Sequence, residues 1–150
     1  MGDKITETFD RAFHDLHEKL RDQVSGLDSG TLNWRPLPKA NSVAVLVTHI
    51  VGSEVEMIQS VRSIPNSRDR DAEFRAEADA AQLLAMIDAA DRDLAKHLAE
   101  VTPADLTEMR TRADGRPPQP GLFWLVTNYG HSREHLAQIE LTKQLYDSRT

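Results

Sequence analysis

Residues 43–54 read VAVLVTHIVGSE, an apolar segment that a single histidine, His49, interrupts. Apolar residues continue at helical spacing to residue 61, which predicts an amphipathic helix with an unusually broad apolar face. Asn41 or Ser42 is suited to cap the start of this helix. Pro65 lies beyond its predicted end.

Three other stretches have the same helical periodicity. The first stretch has apolar residues at Ile5, Phe9, Phe13, Leu16, Leu20, Val24 and Leu27, and Gly26 and Gly30 mark its end. The third stretch has apolar residues at Leu83, Ile87, Ala90, Leu94, Leu98 and Val101. The fourth begins near Pro120 and contains Leu125, Leu136, Ile139 and Leu145. Residues 63–77 and 102–119 form two long connections, and residues 106–112 alternate enough to predict a short extended segment. The pattern predicts one all-α domain over residues 1–150, a four-helix bundle whose loop lengths argue against plain up-down-up-down order.

Composition narrows the class of protein. The chain has 150 residues, 18 Lys+Arg against 24 Asp+Glu, a net charge of −6 and no Cys. The acidic balance argues against nucleic-acid binding, which depends on Lys and Arg at phosphates. No apolar run is long enough to span a bilayer, and the N-terminus lacks the apolar block of a secretory signal, so we expect a cytoplasmic protein. Without thiolates, any metal must be held by nitrogen and oxygen.

Three histidines interrupt apolar helix faces. His131 and His135 are four residues apart on the fourth helix, so they project from one face about a turn apart. Such a pair can chelate a first-row divalent metal, and His49 from a facing helix would complete a three-nitrogen site. The alternative is structural: the histidines would be core residues that pair with Asn128, Ser53 or Thr142.

The positions of the remaining histidines and of the carboxylates bear on three other kinds of metal site, namely ferritin-like, hemerythrin-like and zincin sites. We expect His14 to be solvated, His17 to lie at the boundary of the core, and His97 to be structural or exposed. A ferritin-like site needs Glu-x-x-His, but Asn128 and Ser132 stand three residues before His131 and His135. A hemerythrin-like site could use His14 with Glu18, although the other histidines lack the paired spacing. The absence of HExxH excludes a zincin protease.

Two short segments resemble the DinB/YfiT-like superfamily of small metal-binding four-helix bundles. LNWRPLPKANSVAVLVTHIVGSE, residues 32–54, is similar to its Trp-x-Pro, Asn-Ser and helix-two His signature. HSREHLAQIE, residues 131–140, is similar to its His-x-x-x-His-x-x-Gln motif. The resemblance implies an up-down-down-up bundle with a crossover between the second and third helices, and Trp34 packing at the base of the preceding loop.

The same resemblance implies a divalent metal, nickel or zinc, held by His49, His131 and His135. It also implies a homodimer, which the broad apolar face of the second helix would allow. Relatives use the metal to activate a thiol or water, as thiol S-transferases, a thiol-dependent isomerase and hydrolases. The expected function is therefore transfer of a low-molecular-weight thiol to an electrophilic small molecule. A metal-dependent hydrolase and a non-catalytic, stress-associated metal-binding or interaction protein are the alternatives.

Further residues are candidates for supporting roles. Glu56 is seven residues after His49 on the same face and could be a proton shuttle, a support for a ligand or an extra ligand; the alternative is an exposed carboxylate. Gln138 lies one turn beyond His135 and could orient a ligand or bound water. Three arginines, Arg110, Arg112 and Arg116, precede the fourth helix and could attract an anionic thiol cosubstrate, although solvated loop arginines need no function.

Overall fold

Four long helices form a bundle, with short helices and a strand pair in the connections. The computed structural model describes residues 2–149. In chain order the elements are α1 (Gly2–Val24), α2 (Ser29–Asn33), α3 (Val43–Val61), α4 (Arg70–Glu73), α5 (Ala80–Glu100), α6 (Pro103–Thr107), β1 (Met109–Arg110), β2 (Gln119–Pro120) and α7 (Gly121–Asp147). The predicted all-α four-helix bundle is confirmed. None of the helices within the described residues is both long and apolar enough to cross a membrane.

Local sequence signals define the starts of the long helices. Ser42 Oγ accepts a hydrogen bond of 3.1 Å from the backbone N–H of Val45 and so caps α3. Asp79 and Gln82 form a reciprocal capping box at the start of α5. α7 begins directly after Pro120. The starts of α3 and α7 agree with the positions predicted from the sequence.

Contacts between helices give their relative directions. α1 runs antiparallel to α5, and α3 to α7, because residues later in one helix meet residues earlier in the other. The contacts are His17–Asp91 and Arg21–Asp88 for the first pair, and His49–His131 and Ser53–Asn128 for the second. The start of α3 shares an apolar cluster with the end of α1, and the end of α3 packs against Phe13, so α1 and α3 are also antiparallel. The order is therefore up-down-down-up, as expected.

The crossover between α3 and α5 determines what covers the middle of α3. These two helices point the same way, so residues 62–79 must return along the bundle, and α4 lies within this crossover. Glu73, at the end of α4, packs so closely on Gly52 that a Cβ at that position would overlap the carboxylate. The crossover consequently places a charged side chain beside α3 less than one turn from His49.

The second long connection, residues 101–120, is held against the start of α7. It contains α6 and the antiparallel strands β1 and β2, in which Met109 lies opposite Pro120 and Arg110 opposite Gln119. β1 confirms the extended segment predicted within residues 106–112. The indole Nε1–H of Trp124 donates a 2.9 Å hydrogen bond to the carbonyl oxygen of Arg110. This bond fixes the strand pair on the first turns of α7.

The broad apolar face of α3 is buried inside the bundle. Val43, Val47 and Ile50 have no exposed surface, because α1, α5 and α7 all pack around this helix. The breadth of the face thus reflects the central position of α3 in the bundle. The homodimer stays a prediction, without the support that this face was expected to give it.

Local differences from the predicted elements occur at both ends of α1. α1 ends at Val24 rather than Leu27, because Gly26 adopts a left-handed conformation (φ 78°) that terminates the helix. The unpredicted α2 follows at once, with the Asp28 carboxylate accepting a 2.7 Å hydrogen bond from the Thr31 N–H as its cap. At the other end of α1, Ile5 is 40% exposed and does not belong to the buried stripe.

Candidate metal centre

The three predicted histidines converge on one point between α3 and α7. His131 Nε2 lies 3.1 Å from His49 Nε2 and 3.1 Å from His135 Nε2. One possible ligand atom from each of the three lies within 4.8 Å of the others. His49 is buried and the other two are partly buried. Their antiparallel helices bring together residues more than 80 positions apart in the sequence.

Hydrogen bonds at the outer nitrogens define the tautomers of two imidazoles. Glu73 Oε1 lies 3.0 Å from His49 Nδ1, and Gln138 Oε1 lies 2.7 Å from His135 Nδ1. Both oxygens are acceptors, so each Nδ1 carries the hydrogen and each Nε2 presents a lone pair to the centre. The Nε2 atoms of His49 and His135 both point at His131 Nε2, so the three nitrogens form one set that a divalent cation can bridge. The donor set therefore fits a divalent metal that prefers imidazole nitrogen.

Two histidines of the cluster are held in the neutral form that metal binding requires. Burial, together with the charges of His135 and His49, lowers the pKa of His131 to about 3. Burial likewise lowers the pKa of His135, although its bond to Gln138 opposes the change. Both imidazoles are thus neutral at neutral pH, as metal ligands must be. His131 Nδ1 is buried and has no hydrogen-bond partner among the described residues.

A carboxylate from the crossover supports His49, and the sequence interpretation missed it. Arg68 Nε and Nη2 donate to the two oxygens of Glu73 at 2.8 and 2.7 Å, while Glu73 accepts from His49. Burial alone would raise the pKa of Glu73, but Arg68 and His49 outweigh it and lower the value. The ring of Phe74 lies 5.1 Å from that of His49. No local pattern marks Glu73, since its role depends on where the crossover runs.

Of the two residues predicted to support the site, only Gln138 contacts a histidine of the cluster. Glu56 is buried rather than exposed, and its carboxylate is fully engaged elsewhere. It forms a close ion pair with Arg112 and accepts hydrogen bonds of 3.0 Å from the Ala113 N–H and 3.1 Å from the Ser60 hydroxyl. Burial opposes its ionisation, but Arg112 and Ala113 lower the pKa of Glu56 overall. Its contacts support a structural role for the loop that carries Arg112, and a role as shuttle or ligand remains a prediction.

The three arginines before α7 have different environments. Arg112 is only 5% exposed, so the expectation of a solvated loop arginine is wrong for it: its charge is balanced by Glu56, a residue distant in sequence. Arg110 donates to Asp105 at 3.0 Å and to the Val61 carbonyl at 2.9 Å, which makes it structural. Arg116 is exposed, as expected.

The other histidines lie outside the cluster. His17 is fully buried, which corrects its predicted position at the core boundary: Glu54 and Asp91, from two other helices, both bond to it at 2.6 Å. His14 is exposed and bonds to Asp91, so it forms no hemerythrin-like group within the described residues. His97 is partly buried beside Arg62.

Among residues 2–149, the proposed structural partners form no hydrogen bond with the three histidines. Asn128 Nδ2 donates to Ser53 Oγ at 2.9 Å, and Thr142 Oγ1 donates to the Gln138 carbonyl at 2.7 Å. Asn128 therefore bonds to a residue of α3, and Thr142 bonds to the backbone of α7. The nitrogens of the cluster are left facing each other.

A cavity of about 240 Å³ opens beside the cluster. His49 and His131 line it, together with Asn128, Ser53 and several arginines. A larger groove of about 490 Å³ lies between α3 and the crossover, but none of the three histidines lines it. The smaller cavity therefore gives a molecule access to His49 and His131.

Solved structures with similar folds come from several bacteria. A conserved protein from Enterococcus faecalis has a TM-score of 0.79 at 15% identity, covering 97% of this chain and 98% of its own. A DinB-like protein from Bacillus cereus has a TM-score of 0.76 at 19% identity, covering 94% and 92%. YfiT from Bacillus subtilis, described as a probable metal-dependent hydrolase with an unusual four-helix bundle topology, has a TM-score of 0.74 at 16% identity, covering 93% and 86%. These likenesses show the fold.

Sequence comparison identifies the family. A comparison with curated proteins finds no match. The sequence model of the DinB superfamily, in contrast, matches residues 12–139, which is most of the chain and includes all three histidines of the cluster. Together with the up-down-down-up bundle, this match shows that the chain belongs to the DinB superfamily.

Proposed function

We propose that this protein is an enzyme that binds one divalent metal ion at His49, His131 and His135 and activates a small thiol for transfer to an electrophilic molecule. One observation carries the proposal: the three Nε2 atoms converge, with both separations from His131 at 3.1 Å. Nickel and zinc are the ions that the family resemblance implies, and imidazole nitrogen suits both. The chain has no Cys, so the thiol must arrive as a cosubstrate.

The chain's own residues hold the ligands in place. Glu73 and Gln138 accept from the outer nitrogens of His49 and His135 and so fix the direction of each inner nitrogen. Arg68 keeps Glu73 ionised. A divalent ion at this point lowers the pKa of a thiol or water bound to it, which supplies a nucleophile near neutral pH.

The site favours activation of a thiol over activation of water, because every nearby carboxylate that could accept a proton is paired with an arginine. Glu73, Glu56 and Asp114, the acids in or behind the cavity wall, each bond to an arginine within the described residues. Water, with a pKa of about 15.7, needs more help to lose its proton than a thiol with a pKa of about 8.5. A site without a free proton acceptor therefore suits the more acidic nucleophile.

Hydrolysis is the second candidate. YfiT, whose fold is similar, is described as a probable metal-dependent hydrolase. In that case the thiol would be replaced by water as the nucleophile, and Glu56 would have to leave Arg112 in order to accept a proton. A metal-binding protein without catalytic activity is the third candidate.

Metal content is the first test. Tag-free protein is purified, incubated with nickel or zinc, desalted and measured by elemental analysis beside the variant His131→Ala/His135→Ala. His14→Ala/His97→Ala is the matched control, because it removes two histidines outside the cluster. We expect about one ion per chain in the wild type and the control, and almost none in the cluster variant.

Activity assays then separate the candidates. Metal-loaded protein is offered small thiols with monobromobimane, and separately para-nitrophenyl acetate without thiol. Metal-dependent thiol conjugation supports the proposal, whereas metal-dependent ester cleavage alone favours the hydrolase. Metal without turnover supports the non-catalytic alternative, and no bound metal overturns all three.

A further inference from the structure

The cavity beside the histidine cluster carries more basic than acidic side chains, although the chain as a whole is acidic. Four arginines line it, Arg68, Arg70, Arg112 and Arg116, against a single acid, Asp114. Two more acids lie behind the wall, where Glu73 pairs with Arg68 and Glu56 pairs with Arg112. Even with all three acids counted, the arginines leave a positive charge on a protein whose net charge is −6. Such a local field concentrates anions.

Two of these arginines have donors that no group within residues 2–149 uses. Arg70 has no hydrogen-bond acceptor among the described residues, and its guanidinium lies 4.9 Å from the centre of the Phe74 ring. Arg116 uses only Nε, which donates to Asp114 at 2.6 Å, and its guanidinium lies 4.8 Å from the Trp124 ring. Stacking on a ring holds a guanidinium while its edge donors stay free.

The other two arginines shape the wall of the cavity. Arg68 and Arg112 each direct two nitrogens at a buried carboxylate, Glu73 and Glu56. Their charges are largely neutralised and their positions fixed. The paired arginines therefore build the wall, and Arg70 and Arg116, from two different connections, remain to bind a ligand.

We propose that this cavity binds a small oxyanion, a carboxylate or phosphate group of the substrate or cosubstrate, through Arg70 and Arg116. The inference rests on the proposed function, since it names the chemical class of molecule that reaches His49 and His131, which line the same cavity. The guanidinium fork matches the geometry of both oxyanions. At about 240 Å³ the cavity is smaller than typical drug-sized sites of about 300–1,000 Å³, so it suits a small acid or the acidic end of a longer molecule.

The test is binding of succinate and inorganic phosphate to metal-free protein, measured by isothermal titration calorimetry in a chloride buffer of low ionic strength. Succinamide serves as the uncharged analogue of succinate. Arg70→Gln/Arg116→Gln is compared with Arg11→Gln/Arg92→Gln, which removes the same charge from exposed arginines on α1 and α5. All four side chains are exposed, and circular dichroism verifies that both variants are folded.

We expect the wild type to bind at least one oxyanion, and succinamide at least about tenfold more weakly. The cavity variant should lose about tenfold or more in affinity, with little change in the control. Succinate binding alone identifies a carboxylate site, and phosphate binding alone a phosphate site. Absence of saturable binding, or equal losses in both variants, would overturn the inference.

The use of metal-free protein keeps this inference separate from the proposed function. Oxyanion binding in a chain that takes up no metal would leave the basic cavity supported and reject the metal site. Metal uptake without oxyanion binding would support the metal site and reject the oxyanion site.

Discussion

Glu54 Oε2 lies 2.6 Å from His17 Nε2 at the centre of the bundle, where neither side chain is exposed. On its other side His17 Nδ1 lies 2.6 Å from Asp91 Oδ1, and the hydroxyl of Ser132 donates to Glu54 Oε1 at 2.8 Å. The four residues come from α5, α1, α3 and α7, so one chain of hydrogen bonds joins all four long helices. A buried network whose members are all satisfied gives the bundle a defined arrangement.

Replacement of His17 by Leu should destabilise the bundle by about 3–5 kcal/mol. Among the described residues Glu54 has only His17 and Ser132 as partners, so the change leaves a buried carboxyl group inadequately paired. Urea unfolding of metal-free protein, followed by circular dichroism, measures the loss. His14→Leu is the control: His14 also bonds to Asp91 but is exposed, so its replacement should cost less than about 1 kcal/mol. Equal losses in the two variants would show that burial of the network contributes nothing.

The contribution of His17 should depend on pH. Burial opposes its charge, but hydrogen bonds and the charges of Glu54 and Asp91 outweigh burial and raise the pKa of His17. The folded state therefore binds this proton more tightly than the unfolded state, whose pKa is about 6.5. The resulting stabilisation is fully present below that value and is lost as the pH rises through the folded pKa.

We accordingly expect the free-energy difference between wild type and His17→Leu to be larger near pH 6 than at pH 9. Unfolding curves of both proteins in the presence of a chelator give this difference at each pH. His14 and Arg21 also face Asp91, so the same measurement on His14→Leu shows how much of the dependence comes from neighbouring groups. A difference that grows with pH would mean that His17 is neutral in the folded protein.

The contrast between His17 and the metal cluster shows what the sequence can predict. His131 and His135 are visible as a pair because helical spacing is a local property, and His49 because it interrupts an apolar run. His17 resembled a residue at the edge of the core because its partners, Glu54 and Asp91, lie on other helices. A buried charged group is recognisable only together with the groups that pair with it.

The crossover and the loop before α7 illustrate the same limit. Arg68 and Glu73 stand in a charge-rich segment that looks solvated, and only the path of the chain brings them to His49. Arg112 can be buried because its charge is balanced by Glu56, which lies 56 residues earlier in the sequence. The helices could thus be predicted from periodicity, whereas the electrostatic surroundings of the site depend on tertiary contacts.

Glu73→Ala should weaken zinc binding about 10–100-fold. The variant removes the acceptor that holds the Nδ1 hydrogen of His49, and outer partners of metal-bound histidines typically contribute this much. Competition with a chromophoric chelator measures the affinity. Glu73→Gln should recover part of the loss, because its amide oxygen can still accept from His49. The control is Glu77→Ala, at an exposed position of the same crossover, which should bind zinc as tightly as the wild type. An equal loss of zinc affinity in this control would show that the effect comes from a disturbed crossover and not from Glu73.

Gly52→Ala should reduce zinc affinity without any change to a ligand or its partner. The added Cβ would overlap the carboxylate of Glu73, so the carboxylate must move and can no longer hold His49 in the same way. Gly130→Ala is a matched control in α7, next to His131 in sequence, where an added Cβ meets nothing within 4 Å. Because Ala favours a helix over Gly by about 1 kcal/mol, the control should melt at a slightly higher temperature and keep its zinc affinity. Zinc affinity that stays at the wild-type value in Gly52→Ala would mean that Glu73 does not position His49 for the metal.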